Sequence, residues 1–357
     1  MQNTQSEYRI IKGTAGDEEL EKYMLCFLRD GADRNMANLK WLHHENLLHS
    51  NVIYYAMKGE EMAAIYTALP VIFRINQQLF PALQSIDTLT DIDHRGKGLF
   101  IKLANALYND AAANQYKLVY GFPNPNSAPG FYKKLHWQSF GEAPFLFKPL
   151  NPFYFFKKII KRKPHTDFSS SNYIFNAPQG KDVNKDIVIR QVNLFEEDYN
   201  EIWKLASKQI HICVDRSAAY LNWRYVDKPG EHYYRYGIYS NNKLSGIVVF
   251  SIKNKHGGLV AYVMELVFDP AKINLGKQLL KFANGLCKKN KVDVVLAWSI
   301  PGCFNYAAYK GSGYYNLPEK LRPQKLYLGA RSFDESLAPM LSNIKNWYIS
   351  YSDSDTA

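Results

Sequence analysis

Residues 95–100 (Arg-Gly-Lys-Gly-Leu-Phe) have the composition of an anion-binding turn. They lie between an apolar run that ends at Thr90 and a helical pattern that begins near Leu99. A strand, a glycine-containing turn and a helix start leave several backbone N–H groups unpaired around one concavity, at the positive end of the helix. Glycine at positions 96 and 98 lets the backbone approach a ligand closely. The turn is therefore predicted to bind the pyrophosphate of a nucleotide-like cofactor.

Two further segments follow this turn. Residues 119–126 have the pattern of a strand and an Asn- and Pro-containing loop, and residues 131–137 read Phe-Tyr-Lys-Lys-Leu-His-Trp. This order resembles the GNAT superfamily of acyl-CoA-dependent N-acetyltransferases, whose pyrophosphate motif is Arg/Gln-x-x-Gly-x-Gly/Ala and whose later motif is Tyr-x-x-x-Gly-Phe/Trp. Arg95 and Gly98 match the first motif. Phe100 stands where the first motif has a small residue, and His136 stands where the later motif has glycine. The bulk of Phe100 is expected to narrow the turn.

The resemblance implies which residues bind acetyl-CoA or another acyl-CoA. In the family, the end of the strand before the turn pairs with pantetheine, and the turn itself holds the pyrophosphate. The implied cofactor-binding residues are Leu89, Thr90, Asp91, Arg95, Gly96, Lys97, Gly98, Leu99, Phe100 and Asn126.

Tyr132 and Asp87 are the candidate catalytic residues. By resemblance, Tyr132 lies near the thioester sulfur, where a phenol of pKa about 10 can protonate a thiolate of pKa about 8.5. A core role for Tyr132 is equally compatible with the sequence. Asp87 could accept the proton of the amine if burial raises the pKa of its carboxyl group. Glu265 occupies the matching place in the second half of the chain, which favours a shared architectural role for both carboxylates.

The sequence contains a second copy of the same plan. Residues 86–91 align without gaps with residues 264–269, Gly98 falls on Gly276, and residues 132–137 fall on residues 309–314. Trp41 corresponds loosely to Trp223. The second copy lacks the arginine and one glycine of the phosphate turn. One CoA site per chain is therefore expected, in the N-terminal half.

The pattern of elements predicts an α/β (α+β) fold with two tandem GNAT-like domains, each a mixed, mostly antiparallel sheet flanked by helices. The predicted boundaries are residues 1–150 for the N-terminal domain, 151–186 for a linker and 187–335 for the C-terminal domain, followed by a segment and a disordered tail over 336–357. The linker contains a basic run at 157–164 that reads as a charged connector helix or as a membrane-surface element.

Composition narrows the class of protein. With 46% hydrophobic and 15% aromatic residues, 357 residues can build two cores. A net charge of +11 favours an anionic partner, which CoA, nucleic acid or an acidic membrane could supply. The four cysteines form no Cys-x-x-Cys pair, so neither a zinc site nor a disulfide framework is expected. The chain shows no secretory signal and no membrane span, and a cytoplasmic location is predicted.

The leading hypothesis is an N-acetyltransferase that moves an acyl group from CoA directly to a small-molecule or peptide amine, without nucleic acid and without metal. Two alternatives stay open. One is a Fem-type ligase that uses aminoacyl-tRNA, for which the positive charge is suitable but the phosphate turn is unnecessary. The other is a non-catalytic binding protein with a GNAT fold. The C-terminal half is expected to shape the acceptor cleft or a homo-oligomer interface.

Overall fold

The computed structural model describes residues 7–154, 170–322 and 325–354. The basic run at 157–164 lies outside the described residues. The first part of the chain forms β1 (Arg9–Lys12), α1 (Asp17–Arg29), α2 (Met36–His43), β2 (Val52–Lys58), β3 (Glu61–Ile75), β4 (Gln78–Thr90), a 3₁₀ turn (Ile92–His94), α3 (Leu99–Ala113), β5 (Leu118–Gly121), a π-helix (Gly130–Lys134), β6 (Gln138–Glu142) and β7 (Phe145–Pro149).

The second part repeats this order. It forms β8 (Ser171–Asn172), β9 (Gly180–Asp182), β10 (Ile187–Gln191), α4 (Glu197–Ser207), β11 (Ile212–Val214), α5 (Ala218–Tyr225), β12 (Tyr234–Ser240), β13 (Lys243–Lys255), β14 (Gly258–Phe268), α6 (Ile273–Lys289), β15 (Val294–Trp298), α7 (Tyr306–Gly311), β16 (Tyr315–Asn316), β17 (Tyr327–Ser332) and α8 (Ala338–Leu341). Short 3₁₀ turns cover Pro270–Lys272, Glu319–Leu321, Glu335–Leu337, Ile344–Asn346 and Tyr351–Asp353.

The strands form two mixed, mostly antiparallel sheets, as the sequence predicts. The first has the order β1-β2-β3-β4-β5-β17-β6, with β11 also paired to β3. The second has the order β16-β7-β15-β14-β13-β12-β10-β9, with β8 paired to β13. In each sheet one central pair is parallel, β4 with β5 and β14 with β15, and a helix connects the two strands of each pair.

The two sheets exchange strands, which the predicted domain boundaries do not anticipate. Strand β7 belongs to the first part of the chain but pairs with β15 of the second sheet. Strand β17 belongs to the second part but lies between β5 and β6 of the first sheet. Each sheet therefore contains a strand from the other part of the chain. Boundaries at residues 150 and 335 do not divide the molecule into two complete sheets.

Residues from both halves also pack against each other. Trp41 and Trp223, the tryptophans that the repeat aligns, stack with ring centroids 4.2 Å apart, and the Trp41 indole Nε1 donates to the Trp223 carbonyl oxygen at 3.0 Å. The largest core cluster combines residues of the first sheet, the second sheet and the C-terminal segment. The molecule therefore has a shared core between its two sheets.

The predicted disorder of the C-terminal tail is wrong for Ser352, Asp353 and Ser354, which are buried. Asp353 accepts from Arg216 at 2.5 Å, and Ser350 and Asp353 form a capping box around the last 3₁₀ turn. A serine- and aspartate-rich sequence is ordered here because buried partners satisfy its polar groups. The remaining tail residues, 355–357, lie outside the described part of the chain.

A shortened chain tests the contribution of this tail. Ending the chain after Tyr348 removes Asp353 and leaves the buried Arg216 without that carboxylate, a change that costs about 3–5 kcal/mol for a buried ion pair. We expect strong destabilisation in thermal unfolding followed by circular dichroism. A chain ending after Ser354 keeps the Arg216 contact and is the control. Equal melting temperatures for the two chains would contradict a structural role for the tail.

Candidate functional site

The glycine turn lies at the start of α3. Gly98 is the N-terminal capping residue of this helix and has a φ angle of 72°, and Gly96 has a φ angle of 79°. Both angles lie in the left-handed region that favours glycine. Position 98 is exposed, and no atom lies within 4 Å of the place that a Cβ would take there. The N–H groups of the first helical turn, from Leu99 and Phe100 onward, have no acceptor within the helix and can bind an anion.

The two basic side chains of the turn, Arg95 and Lys97, have different surroundings. The Arg95 guanidinium forms an ion pair with Asp30, which caps the C-terminal end of α1, and donates from Nε to the Thr90 carbonyl oxygen at 3.2 Å. Lys97 is exposed. Arg95 therefore ties the turn to α1, and an anion in the turn would compete with Asp30 for this guanidinium.

Strands β4 and β5 pair over only part of their lengths. Their parallel ladder in the described residues contains only the pairs Leu83 with Val119 and Gln84 with Tyr120. Beyond these pairs, β4 continues to Thr90 with β3 as its only strand partner among the described residues. The opening is a cavity of about 130 Å³. Its lining consists of Ser85, Ile86, Thr88, Gly121, Phe122, Pro123, Asn124, Ser127, Phe131 and Trp137.

A β-bulge shapes this edge of the sheet. Tyr66 pairs with Thr88 and Ala68 pairs with Ser85, so two residues of β4 lie opposite one residue of β3. Bulges commonly redirect side chains beside active sites. The hydroxyl oxygen of Thr88 is buried and has no hydrogen-bond partner among the described residues. A polar atom of this kind in the cavity wall is available to a ligand.

Phe100 does not narrow the turn by its bulk. Its ring packs into the core of the first half, with its centroid 5.1 Å from that of Phe131. A Cβ on Gly130 would lie 2.5 Å from the Phe100 ring, so glycine at 130 makes room for it. Phe100 thus stands where the family's motif has a small residue, and the absence of a side chain at Gly130 leaves room for its ring.

Tyr132 is not among the residues that line the cavity, and its role as proton donor stays a prediction. A Cβ on Gly329 of β17 would lie 2.9 Å from the Tyr132 phenol oxygen, which places this hydroxyl over the exchanged strand. Burial raises the pKa of Tyr132 to about 12. The π-helix adds one residue to the turn, and the cavity is lined by the preceding residue, Phe131. His136 has a φ angle of 55°, a conformation that the family's glycine adopts easily.

A chain of hydroxyl groups ends in the cavity. The Trp137 indole Nε1 donates to the Tyr108 oxygen at 2.9 Å, and the Tyr108 and Tyr66 hydroxyls lie 2.8 Å apart. The Tyr66 hydroxyl donates to Ser85 Oγ at 3.0 Å. Burial raises the pKa of Tyr66 to about 12, so this phenol stays protonated. Because an indole N–H can only donate, this order of bonds leaves the Ser85 proton free to point into the cavity.

Asp87 is held in an ion pair. Both of its carboxylate oxygens accept from Arg34, at 2.9 Å from Nε and 2.7 Å from Nη2, and Tyr23 donates to the same carboxylate at 2.6 Å. The aligned carboxylate in the second half is also bound by an arginine, since Arg216 Nε donates to Glu265 at 2.9 Å. This shared arrangement favours the architectural interpretation of Asp87 over its predicted role as the base.

The remaining predicted contacts lie around the cavity rather than in it. Asn124 lines the cavity and accepts from the backbone N–H groups of Asn126 and Ser127 at 2.9 and 3.0 Å. Asn126, the predicted contact, is exposed and is not part of the lining. Asp91 is buried and caps the 3₁₀ turn after β4 by accepting from Asp93 at 3.0 Å. The structure therefore places Asn124 where the sequence analysis places Asn126.

The second half contains no matching turn in its described residues. Gly276, which aligns with Gly98, lies inside α6, and a Cβ there would lie 2.4 Å from the ring of Phe268. This glycine allows close packing of helix and sheet. Strand β15 also stays paired with β14 over four residue pairs, up to Val263 with Ala297. The candidate cofactor site thus lies in the first half alone.

The cavity residues that the sequence analysis did not single out are Ser85, Ile86, Thr88, Phe122, Ser127, Phe131 and Trp137. The alternation of side chains along β4 indicates that Ser85 faces the cavity. It does not predict the bulge that brings Thr88 into the same wall. Among the described residues, no group of three or more His, Cys, Asp or Glu side chains is arranged to hold a metal ion, and no helix is long and apolar enough to cross a membrane.

Comparisons with known proteins agree with this geometry. Residues 7–140 match the model of the acetyltransferase (GNAT) domain. No curated protein sequence matches the chain significantly.

Solved structures share the fold over most of the chain. A probable N-acyltransferase from Enterococcus faecalis is 14% identical with a TM-score of 0.59, and the match covers 92% of this chain and 73% of that one. A GCN5-related N-acetyltransferase from Anabaena variabilis gives the same values. N-myristoyltransferase from Saccharomyces cerevisiae is 10% identical with a TM-score of 0.60, covering 92% and 81%. At these identities the likeness establishes the fold.

His43 of α2 is a buried histidine beside the Asp87 pair. Its ring lies 6.1 Å from that of Tyr23, and neither ring nitrogen has a hydrogen-bond partner among the described residues. Burial lowers the pKa of His43 to about 4. The side chain is therefore neutral at pH 7.

This histidine makes folding depend on pH. In the unfolded chain the pKa of a histidine is about 6.5, so between pH 6.5 and 4 the unfolded state binds a proton that the folded state excludes. The contribution of neutral His43 to the free energy of unfolding is complete above about pH 6.5. It is lost as pH falls toward 4, by about 3 kcal/mol in total. We expect His43→Gln to flatten this pH dependence in urea unfolding. His44→Gln, an exposed neighbour, is the control, and an unchanged slope in His43→Gln would contradict the assignment.

Proposed function

We propose that this protein is an acyl-CoA-dependent N-acyltransferase with one CoA site, in the GNAT domain of its N-terminal half. The observation that carries the proposal is the cavity between the separated strands β4 and β5, whose lining residue Phe131 packs against Phe100 in the first turn of α3. An open strand edge suits an amide-containing arm, and a helix start with unpaired N–H groups suits a pyrophosphate. The fold shared with the N-acyltransferases and the family match over residues 7–140 support it.

In this proposal the turn from Gly96 to Leu99 binds the pyrophosphate through backbone N–H groups. The open edge of β4 pairs with the pantetheine arm and polarises the thioester carbonyl. The amine then attacks the carbonyl carbon, the carbon–sulfur bond breaks, and Ser85 donates its hydroxyl proton to the departing thiolate. The Tyr66 hydroxyl keeps its proton and orients Ser85 through its hydrogen bond to Ser85 Oγ, and Ser85 regains a proton from water in the open cavity. Water accepts the proton lost by the amine, because Arg34 and Tyr23 occupy the Asp87 carboxylate.

The dimensions of the cavity bear on the acyl group. Its volume is about 130 Å³, and Ser85, Thr88 and Ser127 contribute polar atoms to its wall. A small and partly polar cavity favours a short acyl chain. We therefore propose acetyl-CoA as the donor and a small-molecule or peptide amine as the acceptor.

Calorimetry and thiol release test the function. Acetyl-CoA is titrated into the protein, and free thiol is then followed with a panel of amines. We expect Gly98→Glu to abolish acetyl-CoA binding, because the carboxylate takes the place of the pyrophosphate at the helix start. Gly302→Glu is the matched control, since Gly302 also has a positive φ angle and free space around its Cβ position but lies in the second half. Absence of acetyl-CoA binding to the unaltered protein would overturn the proposal.

Three hydroxyl deletions test the proton donor. Ser85→Ala is expected to lower kcat by about 10²- to 10⁴-fold with little change in the Kd of acetyl-CoA, since general acid catalysis contributes a factor of this size. Tyr66→Phe breaks the hydroxyl chain and should also lower kcat. Tyr132→Phe is the control, and we expect its kcat to stay within about threefold. A large loss in Tyr132→Phe with none in Ser85→Ala would assign the role to Tyr132 instead.

A further inference from the structure

The second half has an open groove where the first half has a closed network of ion pairs. The groove lies between α4, the start of β13 and the turn after β14, and its volume is about 380 Å³. Its lining consists of Glu201, Ile202, Lys204, Leu205, Lys208, Lys243, Leu244, Ser245, Asp269 and Lys272. It is larger than the cavity beside β4 and shares no residue with it.

The matching place in the first half is closed by ion pairs. Arg29 of α1 binds Glu61 at 2.5 Å, Asp91 at 3.2 Å and Asp93 at 2.7 Å. His94 lies 3.3 Å from Glu61. Arg29 and these three carboxylates thus fill the space between α1, β3 and the turn after β4.

The repeat shows what changes in the second half. Lys243 begins β13 as Glu61 begins β3, which reverses the charge at this position. Asp269 caps its 3₁₀ turn, accepting from Ala271 at 3.1 Å, as Asp91 does in the first half. In the part of the chain that the structure describes, Lys204, Lys208 and Lys243 form no salt bridge. Lys272 lies 3.5 Å from Asp269.

The groove is therefore concave and basic, and three of its four lysines form no salt bridge with a described residue. The lining contains four lysines and two carboxylates, Glu201 and Asp269. Asp269 already accepts a hydrogen bond from the 3₁₀ turn that it caps. Like charges that line one concavity repel each other and raise the local concentration of anions. Lysine ammonium groups bind phosphate as compact point charges. Ile202, Leu205 and Leu244 add an apolar surface, and Leu205 is 43% exposed.

From this contrast we propose that the groove is a second binding site, for a molecule that carries a phosphate group next to an apolar part. Its volume lies within the range of about 300–1,000 Å³ that is typical of small-molecule sites. The phosphate binds among Lys204, Lys208 and Lys243, and the apolar part packs on Leu205. The site is independent of the acyltransferase function, because it lies in the other half of the molecule.

The test uses inorganic pyrophosphate in calorimetry at low salt, in a Gly98→Glu background in which the glycine turn is blocked. We expect one pyrophosphate to bind, and Lys204→Glu/Lys243→Glu to weaken its affinity by at least about tenfold. Lys288→Glu/Lys345→Glu changes the net charge equally at exposed positions outside the groove and should keep the affinity. Equal weakening by both double variants would show non-specific attraction and overturn the site.

A second arm identifies the source of the phosphate. Co-sedimentation with phosphatidylcholine vesicles that contain phosphatidic acid measures binding to a lipid headgroup. Vesicle binding that is lost in Lys204→Glu/Lys243→Glu supports the site with a lipid as the source, and pyrophosphate binding without vesicle binding supports a soluble ligand. If neither probe binds the Gly98→Glu protein, the proposal is wrong. Acetyl-CoA binding to the unaltered protein reports separately on the proposed function.

Discussion

The buried ion network around Arg216 holds the two halves of the molecule together. Arg216 is fully buried and contacts Glu265 of the second sheet and Asp353 of the C-terminal segment. Gln84 of the first sheet donates to the Asp353 carbonyl oxygen at 2.6 Å. Taking these charges out of water is costly, so the arrangement is stable only while every partner is present. The tail is thus a structural element of the interior, between both sheets.

The duplication explains much of this arrangement. Each half places a carboxylate at a bulge of its central strand, Asp87 in one and Glu265 in the other, and each carboxylate meets an arginine. The matched tryptophans, Trp41 and Trp223, stack on each other. The copies then diverge in structure. The first keeps the glycine turn and the separated strands, whereas the second fills its corresponding positions with packing contacts and opens a basic groove elsewhere.

Much of the fold follows from local patterns in the sequence. The apolar spacing of residues 99–113 and the glycine before them predict a helix with the bounds that α3 has. The apolar spacing of residues 34–48 also predicts a helix, but α2 ends earlier, at His43, after which Asn46 accepts hydrogen bonds from the following turn. Strand exchange was not predictable, because an alternating pattern indicates a strand but not the sheet that it joins.

The site was predictable in position but only partly in detail. The motif identified the glycine turn before α3, where Gly96 and Gly98 have positive φ angles, whereas motif spacing indicated Tyr132 and the π-helix brings Phe131 into the cavity wall. The ordered tail also escaped prediction, because the Ser- and Asp-rich composition of residues 352–355 is typical of disorder. Its order depends on Arg216 and other residues that are distant in sequence. Such long-range polar contacts leave no local pattern to read.

Strand exchange has a consequence for how the chain reaches this structure. During synthesis, β5 and β6 emerge long before β17, the strand that lies between them. The first sheet therefore cannot be completed while the ribosome is still making the second half, and β7 must likewise wait for β15. Contacts between such distant segments slow folding and expose unpaired strand edges. The architecture favours folding after release, as a single cooperative unit rather than domain by domain.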